Sequence, residues 1–159
     1  MDSLNINKFD VPLIFRSRPE SIPGDLRPAW RIGVAILMLH LASRSQKASL
    51  GKIHILNWAI QSQDNQISLL KIIDGQLSPD TIIIRVEPSL NRALDLARGE
   101  GLIEYVSDKN VQLTSQGRVI ASHIMEKTEL FVNEKKFLTA IGKNNITEQF
   151  VSRLFSGGQ

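Results

Sequence analysis

Apolar residues in this chain recur at three- and four-residue spacing through its first half, then give way to one short β-prone passage. That order predicts helices ahead of a single hairpin. From Ala29 to about Ser43 the run "AWRIGVAILMLHLAS" is apolar nearly all round, the mark of a central helix buried on most faces. Pro28 stands where a helix favours its first turn. Ser49 offers a cap to a second helix, Leu50 to about Gln61, with Leu50, Ile53, Leu56 and Ile60 as its core stripe. Lys52, Asn57 and Gln61 read as its other, outer side. A third helix runs roughly from Gln66 to Ile73 and stops at Asp74-Gly75. Ser78-Pro79-Asp80 then turns the chain into Thr81–Val86, a β-branched strand expected to join the hairpin's sheet.

Pro88-Ser89 opens the next helix, which presents Leu90, Ala93, Leu94 and Ala97 to the core and Asn91, Arg92, Asp95 and Arg98 outward or on the flank. Gly99 and Gly101 close it, because glycine takes the left-handed cap geometry without steric cost. Leu102 to Val106, the turn Asp108-Lys109-Asn110, and Val111 to Leu113 form the hairpin. Thr114 caps a helix from Ser115 to about Lys127. Helix, short hairpin and capped helix in that order is the signature of a winged helix. The expected fold is α+β, mainly α: a winged helix-turn-helix with an extended N-terminal arm and extra C-terminal helices. The expected division is residues 1–28 for the arm, 29–127 for the winged-helix domain and 128–159 for the helical extension.

The arm carries Pro12, Pro19, Pro23 and Pro28, which interrupt helix and ladder alike. Its apolar Val11, Leu13, Ile14 and Phe15 suit an edge strand or packing on a neighbour. The extension, from Glu129 to Ile141 and again from Thr147, adds Phe131, Phe137, Phe150 and Phe155. Arm and tail together offer more apolar surface than one winged helix consumes, so these eight residues are the expected partner interface.

Composition narrows the field. The 159 residues include no cysteine, which excludes disulfides, thiolate metal sites and cysteine nucleophiles and fits a reducing cytoplasm. No run approaches the length of a membrane span, and the first residues lack a signal-peptide pattern. The net charge of +3 is modest, but seven basic residues against two acidic ones lie between Val11 and Lys52. Such a front end serves phosphate contact, an acidic protein face or plain solvation.

Catalytic chemistry finds little footing. His40, His54 and His123 fall on predicted helices with no second ligand at helical spacing, and His40 reads as a core or boundary histidine. Gly99-Glu100-Gly101 precedes a strand rather than a helix, so it is no phosphate cradle. The expectation is a non-enzyme without metal or cofactor. For nucleic acid the candidates are Arg44, Lys47, Lys52, Asn91, Arg92, Arg98 and Lys109. Asp95 and Asp108 weaken sequence-specific reading, because they would meet phosphates on the two surfaces that enter DNA.

Two passages carry a resemblance. "DLRPAWRIGVAILMLHLASRSQKASLGKIHILNWAIQS" and "IIIRVEPSLNRALDLARGEGLI…VQLTSQGRVIA" resemble, in that order, the small middle components of bacterial three-component ABC-ATPase systems. Lamassu-type antiphage defence belongs to this group, whose winged-helix subunits are similar to the KITE proteins of SMC complexes. The resemblance covers about Asp25 to Lys127, with Pro28, Ala29 and Trp30 matching the first motif and Pro88, Leu90, Asn91, Arg92 and Ala93 the second. It implies a non-catalytic accessory subunit that bridges or regulates an SMC/Rad50-like ATPase and an effector nuclease, reaching DNA through the complex. A winged-helix transcription regulator is the main alternative, and a replication or partition interaction domain a further one.

Overall fold

The computed structural model describes residues 28–157. Val11, Leu13, Ile14 and Phe15 therefore lie outside the described residues. Within them the chain is mainly helical, with a small three-stranded antiparallel sheet. Helix α1, Pro28–Leu41, is buried without interruption from Arg31 to Leu39 and forms the centre of the core. It packs on α2 (Leu50–Ile60), α4 (Pro88–Gly99), α5 (Ser115–Glu126) and α6 (Val132–Ile141). An all-round apolar sequence is what such a position demands, since no face of the helix meets bulk water.

Caps fix the helix starts. Ser49 Oγ accepts from Lys52 N–H at 3.1 Å, and Ser62 Oγ does the same for Asn65 at the start of α3, Gln63–Ile73. Each satisfies an N–H that the helix itself leaves open. Thr114 Oγ1 accepts from Gly117 N–H at 3.0 Å and donates to the Gly101 carbonyl at 2.6 Å, tying the start of α5 to the end of α4. Of Gly99 and Gly101, only Gly101 has a positive φ, +77°; Gly99 is the last residue of α4. Gly117 is needed for another reason: a Cβ there would stand 2.0 Å from the Leu102 carbonyl oxygen.

The sheet differs from expectation. Strands β2 (Ile103–Tyr105) and β3 (Asn110–Leu113) form the hairpin, but the third strand is β1, Lys47–Ser49, in the order β1-β3-β2. Its register sets Lys47 opposite Gln112, Ala48 opposite Val111 and Ser49 opposite Asn110. The passage after α1 reads as a basic loop because three residues are too short to show alternation. A turn at Arg44–Gln46, with Ser45 and Gln46 both at positive φ, re-aims the chain so that Ala48 enters the core. Thr81–Val86 stays out of the sheet: after a 3-10 turn at Pro79–Thr81 it runs without regular structure to α4.

Helix α6 begins at Val132 rather than Glu129, and α7 spans Glu148–Gly157. Both complete the same core as α1. Phe137 and Phe150 are buried within it, and Phe131 and Phe155 pack half-buried against it. The expectation of an exposed aromatic tail is corrected accordingly for Phe137 and Phe150: α1 and α2 lack enough neighbours unless the tail covers them.

Candidate functional site

The surface built from α4, the hairpin and β1 holds most of the sequence-derived candidates. Asn91, Arg92, Asp95, Leu96 and Arg98 all point outward from α4. Three of them are engaged within the molecule. Asn91 Oδ1 accepts from His54 Nε2 at 3.3 Å. Arg98 meets Asp95 at 3.6 Å and lies over the Tyr105 ring, 4.9 Å from its centroid. The ion pair is solvent-exposed and contributes little, whereas the stacked guanidinium couples α4 to β2. Burial, then Asp95, pushes the Tyr105 hydroxyl above its ordinary value, with Arg98 opposing. Arg92 is exposed and has no ion pair among the described residues.

Beside them, Arg44, Lys47 and Lys109 are exposed. Lys47 faces Gln112 at one end of the β1–β3 pair, and Leu50 N–H donates to the carbonyl of Lys109, just before β3, at the other. Gln112 in turn donates to Glu104 at 2.7 Å, so the outer row of the sheet reads Lys47, Gln112, Glu104 and is mixed in charge. Lys52 is not part of this surface. It is only 4% exposed, and burial lowers its ammonium pKa, with Glu148 opposing. Of the outer side predicted for α2, Lys52 and Asn57 are buried and Gln61 is exposed, which removes Lys52 as a phosphate contact.

Around Asn57 lies a polar cluster that sequence reasoning missed. Arg31 Nη1 donates to Asn57 Oδ1 at 3.2 Å, and Arg31 Nη2 lies 3.6 Å from Glu87 Oε1. Glu87 Oε2 accepts from Asn57 Nδ2 at 2.9 Å and from Gln61 Nε2. Glu87 is the N-cap residue of α4, and its carboxylate makes no capping bond because it is committed to α1 and α2. The cluster extends through His54 to Asn91 on α4 itself. Burial lowers the His54 imidazole below its ordinary value of 6.5, against the opposing pull of the Asn91 bond and of Glu87. Arg31 Nε and His54 Nδ1 are buried without a hydrogen-bond partner among the described residues.

Two signals in the sequence point to this cluster. Arg31 is the one permanent charge in an otherwise apolar helix, so it requires a counter-charge. His54, Asn57 and Gln61 share one helix face by their spacing. Their partner Glu87 is unreadable beforehand, because it comes from a distant loop. A cleft of about 190 Å³ opens alongside, lined by Trp30, Arg31, Asn57, Ile60, Gln61 and Glu134. Elsewhere Gln46 Nε2 donates to His40 Nδ1 at 3.0 Å, and burial, then Lys143, lowers the His40 pKa.

No protein-family model, curated protein or solved structure matches this chain. Among the described residues, no group of three or more His, Asp or Glu side chains is placed to hold a metal ion. No described helix is long and apolar enough to cross a membrane. The arrangement is a helix held at its start by a polar cluster, with a mixed polar and apolar outer face.

Proposed function

We propose that the chain is a winged-helix interaction subunit, the accessory component of an SMC-like ATPase complex that carries an effector nuclease. The fold part of this reading is supported by the order α1, β1, α2, α3, α4, hairpin, with β1 on the far edge of β3. In a winged helix α4 would be the reading helix and the β2–β3 hairpin the wing.

One observation carries the choice of protein over DNA as the main partner. The polar residues on the outer face of α4 are largely spent inside the molecule, Asn91 on His54 and Arg98 on Asp95 and Tyr105. Leu96 on that helix and Val106 on the hairpin are instead 49% and 45% exposed. A base-reading face keeps its amides and guanidinium groups free, and a protein-binding face presents apolar anchors. The nature of the partner rests on the resemblance of Asp25–Lys127 to the middle components described above.

The test is co-expression with an ATPase encoded beside this gene. A stable complex is expected, weakened by Leu96→Glu. Failure to recover any such ATPase overturns the reading. The regulator alternative draws on Arg44, Lys47, Arg92 and Lys109, which have no ion pair among the described residues. It would be favoured by a nanomolar footprint at a single operator.

A further inference from the structure

The cleft lined from the start of α1, the end of α2 and the first turn of α6 holds two charged groups whose demands the described residues do not meet. Arg31 is 7% exposed, and its guanidinium carries five N–H donors. Only Nη1 makes a hydrogen bond among the described residues, to Asn57 at 3.2 Å. Nη2 stands 3.6 Å from Glu87, beyond hydrogen-bond reach, and the buried Nε has no acceptor among the described residues. On α6, Glu134 is half-buried and has neither an ion pair nor a hydrogen bond among the described residues. Its neighbour Lys135 is committed elsewhere, donating to the Lys127 carbonyl at 2.7 Å. Trp30 and Ile60, both half-buried, supply the apolar walls, and Phe131 stands beside the Trp30 ring at a centroid distance of 6.1 Å.

Charge and size together select an occupant. Glu87 balances the charge of Arg31, so Glu134 leaves the cleft with a net negative charge, one guanidinium against two carboxylates. A free carboxylate or phosphate is thereby disfavoured, and a plain amine would leave the Arg31 donors unserved. What meets both demands is a single positive charge beside a neutral acceptor: an ammonium for Glu134 and, close to it, a carbonyl for Arg31. The amino-terminal residue of a peptide carries that pair on adjacent carbons, together with a side chain that Trp30 and Ile60 can cover. A free amino acid has the same ammonium but brings a further carboxylate toward Glu87. At about 190 Å³ the cleft is smaller than the roughly 300–1,000 Å³ of pockets for drug-sized ligands, so it takes one residue rather than a longer stretch of chain.

We propose that this cleft captures the amino-terminal residue of a partner peptide, with its ammonium on Glu134, its first carbonyl on the Arg31 guanidinium and an apolar side chain against Trp30 and Ile60. The site uses neither Leu96 nor Val106, the anchors assigned above to the ATPase. It therefore stands or falls independently of that assignment.

The chain has two tryptophans, and only Trp30 lines the cleft. Its indole N–H resonance, assigned by its persistence in Trp58→Phe, reports on occupancy in the full chain, with the Trp58 resonance as internal control. L-Leucinamide is expected to shift the Trp30 signal saturably within about 10 mM, a range that reaches the weak end of the affinity scale near about 1 mM. Leucyl-glycinamide is expected to bind comparably, because only its first residue enters. N-Acetyl-leucinamide lacks the ammonium and isoamylamine lacks the carbonyl. Each is expected to bind at least about tenfold more weakly, the loss of one charge-assisted hydrogen bond. Glu134→Gln is expected to weaken leucinamide by a similar factor with an unchanged circular dichroism spectrum. The absence of a saturable shift with leucinamide overturns the proposal, as does equal binding of the acetylated compound or of isoamylamine. Exclusion of leucyl-glycinamide while leucinamide binds overturns a peptide as the occupant. A folded Glu134→Gln variant that binds like the wild type overturns it too.

Discussion

Arg31 and Glu87 meet at 3.6 Å between the first turn of the central helix and the residue that precedes α4. Arg31 is 8% exposed and Glu87 32%. The pair fixes where α4 begins, so the outward face of that helix is aimed by a contact with the core rather than by its own sequence. Loss of Glu87 leaves the guanidinium buried with only Asn57 to receive it. Glu87→Ala is expected to destabilise the fold by about 1–3 kcal/mol, below the range of about 3–5 for a fully buried pair because water reaches Glu87. Arg31→Met is expected to be milder, since the freed carboxylate can hydrate. Urea midpoints of the two single variants and the double variant check the coupling.

Gly117 and Gly51 are expected to respond differently to the same substitution. Gly117→Ala drives a methyl group into the Leu102 carbonyl, which belongs to backbone held by the Thr114 N–H. It is expected to cost upwards of about 3 kcal/mol, the top of the overpacking range. At Gly51 the nearest atom is Val151 Cγ1 at 2.7 Å, a side chain on the last helix. Gly51→Ala is expected to change stability by no more than about 1 kcal/mol, because α7 can shift and alanine favours the helix. Thermal unfolding followed by circular dichroism distinguishes the two.

Acidification is expected to destabilise the protein through His54 and His40. Both imidazoles have folded-state pKa values below their ordinary value of 6.5, chiefly from burial. The unfolded chain then binds protons more readily than the folded one. Stability is full above 6.5 and falls as pH drops through that value toward the folded pKa. Protonation at His54 Nδ1 would place a charge and a donor where no acceptor stands among the described residues. The unfolding midpoint is expected to fall on this acid limb, and a His40→Gln/His54→Gln double variant to flatten it. A wild-type midpoint that does not move across the limb contradicts the argument.

Duplex DNA is expected to bind weakly, in the non-specific range of roughly 10⁻⁴–10⁻⁶ M at physiological salt. Lys47→Ala and Lys109→Ala are each expected to lower the slope of log affinity against log salt by about 0.9 if the residue contacts phosphate. Lys52→Met is expected to leave that slope unchanged, because Lys52 is only 4% exposed. A titration at several salt concentrations with the three variants separates these outcomes.

By itself the sequence determined the helices and the hairpin. Apolar spacing marked α1 and α2, Ser49 and Thr114 marked two starts, and the Asp108-Lys109-Asn110 turn between β-prone runs marked the hairpin. Those signals are local, set by side-chain period and cap chemistry over a few residues. Tertiary structure decided which short segment completes the sheet. Lys47–Ser49 joined because α1 and the left-handed turn after it deliver it to β3, while the more β-prone Thr81–Val86 was left unpaired. It also decided the fate of the polar residues on α2. Lys52 and Asn57 look solvent-facing by period, but α7 and the chain before α4 close over them. Whether a polar side chain ends in water or in a buried network depends on what the remote chain brings to it, and no local pattern encodes that.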